Sequence, residues 1–175
     1  MIPNIDALES FELIWRFSDA EKYTQLTAEE FLHFQPLEIE RSKGLWEQHV
    51  YSNSTCTSNH LCKLIIGNHI DLPDFSFQSF ADDNVAEVIK ELHQRISCDR
   101  SLKIYFFWHS EVCVASNWGI FLDHWDDFCY PSDDSNIIIF PDLDLAVLYR
   151  EDMWWIMEHP KNSVLFDQNL KNRNA

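Results

Sequence analysis

Residues 136–149 read NIIIFPDLDLAVLY. Two short apolar runs flank PDLD, a cluster of turn-forming residues. Asn136–Phe140 has the β-branched content of a buried strand, and Leu145–Tyr149 has the composition of its antiparallel partner. The proline cannot donate to a ladder, so it belongs at the corner and not in either strand. One hairpin of this kind cannot bury both its faces alone and needs neighbours.

Further strands are found on both sides. LKIYFFW (102–108) is apolar nearly throughout and predicts a central strand. MWWIM (153–157) predicts another strand or a short helix. If it is a strand, the adjacent Trp154 and Trp155 point to opposite faces, and one tryptophan is turned away from the main core. Between these runs Trp118, Phe121, Leu122, Trp125 and Phe128 recur at helical spacing, which predicts a helix ended by Tyr130-Pro131.

The first half reads as helical. Thr27-Ala-Glu-Glu30 has the spacing of a capping box opening a helix through Phe34. A second helix is expected from Leu37 to Tyr51, with Leu45, Trp46, His49 and Val50 on one face. A third, capped by Asp82 or Asp83, carries the stripe Val85, Val88, Ile89, Leu92, Ile96. SNSTCTSN (52–59) is a polar loop. Residues 61–66 fit a strand or a helix start, residues 74–80 are irregular, and the tail after Pro160 is polar and expected to fray. These elements predict an α+β fold: a small antiparallel sheet from the second half, helices packed on it, and a mainly helical N-terminal third. The 175 residues suit one domain, 1–175, with the polar loop near 52–60.

The charge pattern is uneven. The net charge is −16. From Ile104 to Tyr149 there is no lysine or arginine, yet Glu111, Asp123, Asp126, Asp127, Asp133, Asp134, Asp142 and Asp144 all fall there. Such a chain repels phosphates and attracts basic partners. With no basic cluster, direct nucleic-acid binding is disfavoured. No run is long and apolar enough to span a bilayer. MIPNIDALESFELIW lacks the features of a signal peptide, so a cytoplasmic location is expected. Five irregularly spaced cysteines fit reduced thiols better than a disulfide framework. With three glycines there is no phosphate-binding loop and no dinucleotide fingerprint.

Candidate chemistry is sparse. His109-Ser110-Glu111 matches half of a zinc-deaminase signature, but no P-C-x-x-C follows. His60 with Cys62, and His109 with Cys113, fit no common zinc module. Cys113 or Cys129 beside His109 or His124 could pair nucleophile with base, but no local motif exposes the thiol. The aspartates of WDDFCYPSDD (125–134) could hold a hard cation, yet the glycine of a calcium loop is missing. A solvated acidic rim over an apolar core explains them more simply. No cofactor and no metal are expected, and a metal-dependent hydrolase using the aspartates is the enzymatic alternative.

The segment from Tyr105 to Trp155 resembles small acidic bacterial proteins of unassigned function. In these an aromatic strand is followed by a tryptophan-containing helix, W-D-D-F-C-Y-P-S-D-[DE], an apolar strand and a strand ending near Tyr-x-Glu-Asp. Matching residues here are Phe107, Trp108, Trp118, Phe121, Trp125–Asp134 except Cys129, Tyr149, Glu151 and Asp152. PLEIERSKGLW (36–46) resembles an uncharacterised bacterial domain family. Several proteins with the first pattern are regarded as immunity proteins, antitoxins encoded beside secreted toxins. The resemblance implies an immunity protein that neutralises a cognate toxin. The acid excess implies that this toxin is basic, for instance a nuclease, and the lack of a catalytic signature fits a non-catalytic protein that covers its active site. The alternative is a non-catalytic adaptor or scaffold. The residues expected to meet the partner are Asp123, Asp126, Asp127, Asp133 and Asp134, with Trp155 as an anchor. Alternatively, Asp126 or Asp134 is structural and caps a backbone amide beside the turn.

Overall fold

A computed structural model describes residues 8, 10–18, 25–50, 73–76, 85–129 and 135–158. In chain order the elements are α1 (Trp15–Ser18), α2 (Ala28–Phe31), β1 (Gln35–Pro36), α3 (Ile39–His49), β2 (Phe75–Ser76), α4 (Val85–Arg95), β3 (Lys103–His109) and β4 (Val112–Asn117). Then follow α5 (Trp118–Asp123), α6 (Trp125–Phe128), β5 (Asn136–Phe140), β6 (Leu145–Arg150) and β7 (Met153–Glu158). The fold is α+β. The described strands form one antiparallel seven-stranded sheet in the order β1-β4-β3-β5-β6-β7-β2.

The NIIIF/LAVLY hairpin is present in the expected register, from Asn136 opposite Tyr149 to Phe140 opposite Leu145. β3 lies between β4 and β5, as its apolar run requires. MWWIM is a strand, joined to β6 by a turn at Glu151 and Asp152, both left-handed at φ 50° and 62°. That turn matches the right-handed twist of the two strands. The Tyr149 hydroxyl donates to Asp152 at 2.9 Å and holds the corner.

Both faces of the sheet are covered, which is why β3 and β5 read as apolar runs and not as alternation. Ile104, Phe106 and Trp108 point to one face, where they meet Phe17, Phe34, Leu92, Phe121 and Phe128 beneath the short helices. Tyr105 and Phe107 point to the other, where α3 lays Leu45 and Trp46 over the sheet. Aromatic rings dominate the first core: Phe128 packs edge-on to Phe17 at 4.9 Å and stacks on Trp108 at 6.0 Å. The Trp108 indole N–H also donates to the Phe128 carbonyl at 3.0 Å, so the strand and α6 are tied by a directional contact as well as by area.

Several expectations are refined. The capping box is present, with Thr27 accepting from the Glu30 amide and Glu30 reaching back to the Thr27 amide, but its helix stops at Phe31. Pro36 then enters an edge strand, where its missing N–H is tolerated. The second helix runs over Ile39–His49. The stripe on α4 buries Val88 and Leu92, with Ile96 just beyond its end. The helix expected across Trp118–Phe128 is two helices meeting at His124, whose φ of −131° is not helical. The break lets Phe121, Leu122, Trp125 and Phe128 all enter the core. Val112–Asn117, unassigned from sequence, is a strand whose end residue Asn117 caps α5 through its side chain. The 52–59 loop, residues 61–66, the Asp82/Asp83 cap and the tail after Pro160 lie outside the described residues.

Candidate binding surface

Asp123, Asp126 and Asp127 share the corner formed by α5 and α6, yet each has a different environment. Asp123 is exposed and ion-paired with Arg100. Arg100 also donates to the Gly119 carbonyl at 3.2 Å, and its own carbonyl accepts from Gly119 N at 2.7 Å. Asp126 is exposed; local desolvation and the adjacent Asp127 charge lift its carboxyl above the ordinary value. Asp127 is buried, 3.7 Å from the ring Nδ1 of the buried His124.

His124 is the hub of this corner. Its Nε2 lies 3.1 Å from Glu30 Oε1 on α2. Glu30 Oε2 accepts from the Thr27 amide at 2.7 Å and from the Thr27 hydroxyl at 2.8 Å. Burial alone would lower the imidazole pKa, but the Asp127 and Glu30 carboxylates outweigh it and raise it above 6.5. Burial likewise disfavours the Glu30 carboxylate, and the Thr27 donors with His124 outweigh that, so its pKa falls below 4.5. Glu29, Glu30, Arg100, Asn117 and Asp123 line a shallow depression of about 310 Å³ beside the corner. Sequence reading missed Glu29, Glu30 and Arg100 because only the fold brings them near the aspartates.

Asp133 and Asp134 lie outside the described residues. Trp155 is half-buried and packs on the opposite sheet face, against the same cluster as Leu37, Leu45 and Trp46; Trp154 is fully buried on the first face. The anchor candidate and the aspartate corner are thus on different sides of the sheet.

A second concavity of about 380 Å³ lies where the turn around Phe11, the β1–α3 junction and the β3–β4 hairpin meet. Phe11, Pro36, Leu37 and Val112 give it apolar walls, and Glu12, Glu38 and Glu111 are at its rim. The half-signature His109-Ser110-Glu111 sits here. His109 Nδ1 accepts from the Glu111 amide at 3.3 Å, its Nε2 is 3.8 Å from Glu12, and the Glu111 carboxylate pairs with Lys43 at 2.9 Å. Cys113 is buried in the wall, and desolvation pushes its thiol far above the ordinary range, the reverse of what a nucleophile needs. Among the described residues, no group of three or more His, Cys, Asp and Glu side chains is placed to hold a metal ion.

The same elements carry a family signature. The family model DUF2947, described as a protein of unknown function, matches residues 6–157. The chain belongs to the DUF2947 family. The WDDFCYPSDD run and both concavities fall inside the matched region of this DUF2947 member. No curated protein and no solved structure matches the chain. Among the described residues, no helix is long and apolar enough to cross a membrane.

Among the described residues of this DUF2947 member, five bases are paired with carboxylates. Lys43 pairs with Glu111, Lys90 with Glu87, Arg95 with Glu91, Arg100 with Asp123 and Arg150 with Glu151. These pairs are solvent-exposed or partly so, and each adds little to stability. Their consequence is electrostatic: each pair neutralises one base in a chain that already has 29 acids against 13 Lys plus Arg.

Proposed function

We propose that this DUF2947 protein is an immunity-type binding protein that neutralises a basic protein toxin by docking on it and covering its active site. The observation that supports the reading is the uncompensated negative surface. Lys43, Lys90, Arg95, Arg100 and Arg150 are paired within the chain, while Glu12, Glu29, Glu38, Glu47 and Asp126 are exposed to solvent. A toxin that acts on a polyanion carries an electropositive active site, and opposite fields bring the two proteins together at up to about 10⁸–10⁹ M⁻¹s⁻¹ at low salt. Docking removes water from the contacts at the centre of the interface, and those pairs then hold the complex far better than pairs on its rim.

The test is isothermal titration of the protein against the secreted toxin encoded beside its gene, at 50 and 300 mM salt. Saturable binding that weakens with salt, together with loss of toxin activity, is the expected result. A folded, active toxin that gives no heat at 50 mM salt and keeps its activity refutes the reading.

A further inference from the structure

We propose that the concavity between the β1–α3 junction and the β3–β4 hairpin is a docking groove for a basic peptide segment, one apolar side chain flanked by lysines or arginines. The inference rests on the proposed binding role and assigns it a place on the chain. Two independent properties of the groove define the occupant.

The first property is its apolar interior. Phe11, Leu37 and Val112 are each half-buried, and Ile39 stands at the mouth with 53% of its surface exposed. A volume of about 380 Å³ is at the lower end of the size range of ligand pockets and accommodates one or two apolar side chains. The β1 strand produces this opening. Leu37 N donates to the Cys113 carbonyl at 2.9 Å, and the chain then turns away into α3 at Ile39, so among the described residues no strand lies beside Val112 on that edge. Ser42 donates to the Ser110 carbonyl at 3.0 Å and fixes the helix against the hairpin, so the walls are held apart.

The second property is the charge of the rim. Glu12, Glu38 and Glu111 surround the mouth, and none of the residues lining the groove is a lysine or arginine. Lys43 answers Glu111, and Arg41 and Lys103 are close enough to act on Cys113 in the wall, so the negative charge of the mouth rests on Glu12 and Glu38. Glu38 occupies the N-cap of α3 without making a side-chain cap bond, so its carboxylate is available to a ligand. His109 is the one titratable cation precursor in the wall. A neutral apolar ligand would leave this carboxylate rim unused, and an acidic one would be repelled. An apolar residue between cations satisfies both the interior and the rim, and it is the kind of segment that a basic toxin can present.

The experiment is a titration of ¹⁵N-labelled protein with the acetylated, amidated peptide Lys-Lys-Leu-Lys-Lys at 50 mM salt. Two control peptides replace the leucine by serine or the lysines by glutamates. The expected result is saturable amide shifts centred on Ile39, Glu111 and Val112. Affinity should fall about fivefold in the Glu12→Gln, Glu38→Gln double variant, two rim contacts being lost. It should also fall with Ile39→Ser and with the serine peptide, and vanish with the glutamate peptide. Shifts centred elsewhere, or a serine peptide that binds equally well, overturn the groove. If the cognate toxin binds the wild type and these variants equally, the groove is wrong while the binding role stands. If neither toxin nor peptide binds at low salt, both fall.

Discussion

Replacing Glu30 by alanine removes the link between the N-terminal helices and the aspartate corner, and its cost is expected to depend on pH in a defined way. One oxygen of Glu30 lies 3.1 Å from the buried His124, and the other closes the capping box on Thr27. A hydrogen bond to a charged group contributes about 1.5–3 kcal/mol, and half of a capping box adds about 0.5–1 kcal/mol. The Glu30 side chain retains 24% exposure, so water recovers part of this. A net loss of about 2–3 kcal/mol follows, or about 5–10 °C in Tm for a chain of this length.

The pH dependence comes from both partners. The folded pKa of His124 is raised, so its contribution is complete below 6.5 and is lost as pH rises through the folded value. The folded pKa of Glu30 is lowered, so its contribution is complete above 4.5 and is lost as pH falls through the folded value. The pair is therefore strongest between these limits. Urea unfolding followed by tryptophan fluorescence, run on a Glu30→Gln and His124→Gln double-mutant cycle, measures the coupling directly. It should be about 1–2 kcal/mol near pH 5.5 and clearly smaller at pH 9. A coupling that is flat with pH, or grows toward pH 9, refutes the reasoning.

Two other outcomes concern Cys113 and Glu151. Cys113 is buried and its thiol pKa is pushed up by desolvation, so alkylation by iodoacetamide at pH 8 should proceed through opening of the sheet and lag behind the half-exposed Cys98; peptide mass spectrometry that finds the two labelled equally fast contradicts this. Glu151 sits at φ 50° in the β6–β7 turn, so Glu151→Asn should stabilise the protein by about 0.5 kcal/mol, read as a higher urea midpoint, because asparagine tolerates the left-handed region better; a lower midpoint would show that the exposed Arg150 pair matters more.

Local chemistry determined a large part of this fold. The NIIIF/LAVLY hairpin, the central LKIYFFW strand, the capping box at Thr27 and the stripe on α4 were legible because β-branched runs, turn residues and helical spacing act over a few residues. The acid excess without bases in 104–149 is also a property of the sequence alone, and so is the family signature spread over residues 6–157. The break at His124 was not legible, because an unbroken apolar spacing at 118–128 does not encode where a helix must bend to bury all its rings.

Only tertiary structure decided what each acid does. Asp123 met Arg100 across 23 residues and Glu30 met His124 across 94, separations that no local pattern reports. Burial placed Asp127 inside and left Asp126 outside, although they are neighbours in sequence, because adjacent residues on a helix point in different directions. The second core under α3 received Trp155, and the acid-rimmed groove arose where three distant segments failed to close over Val112. Sequence fixes how many charges a chain carries and which segments are apolar; packing over long separations fixes which charges pair with each other and which stay exposed.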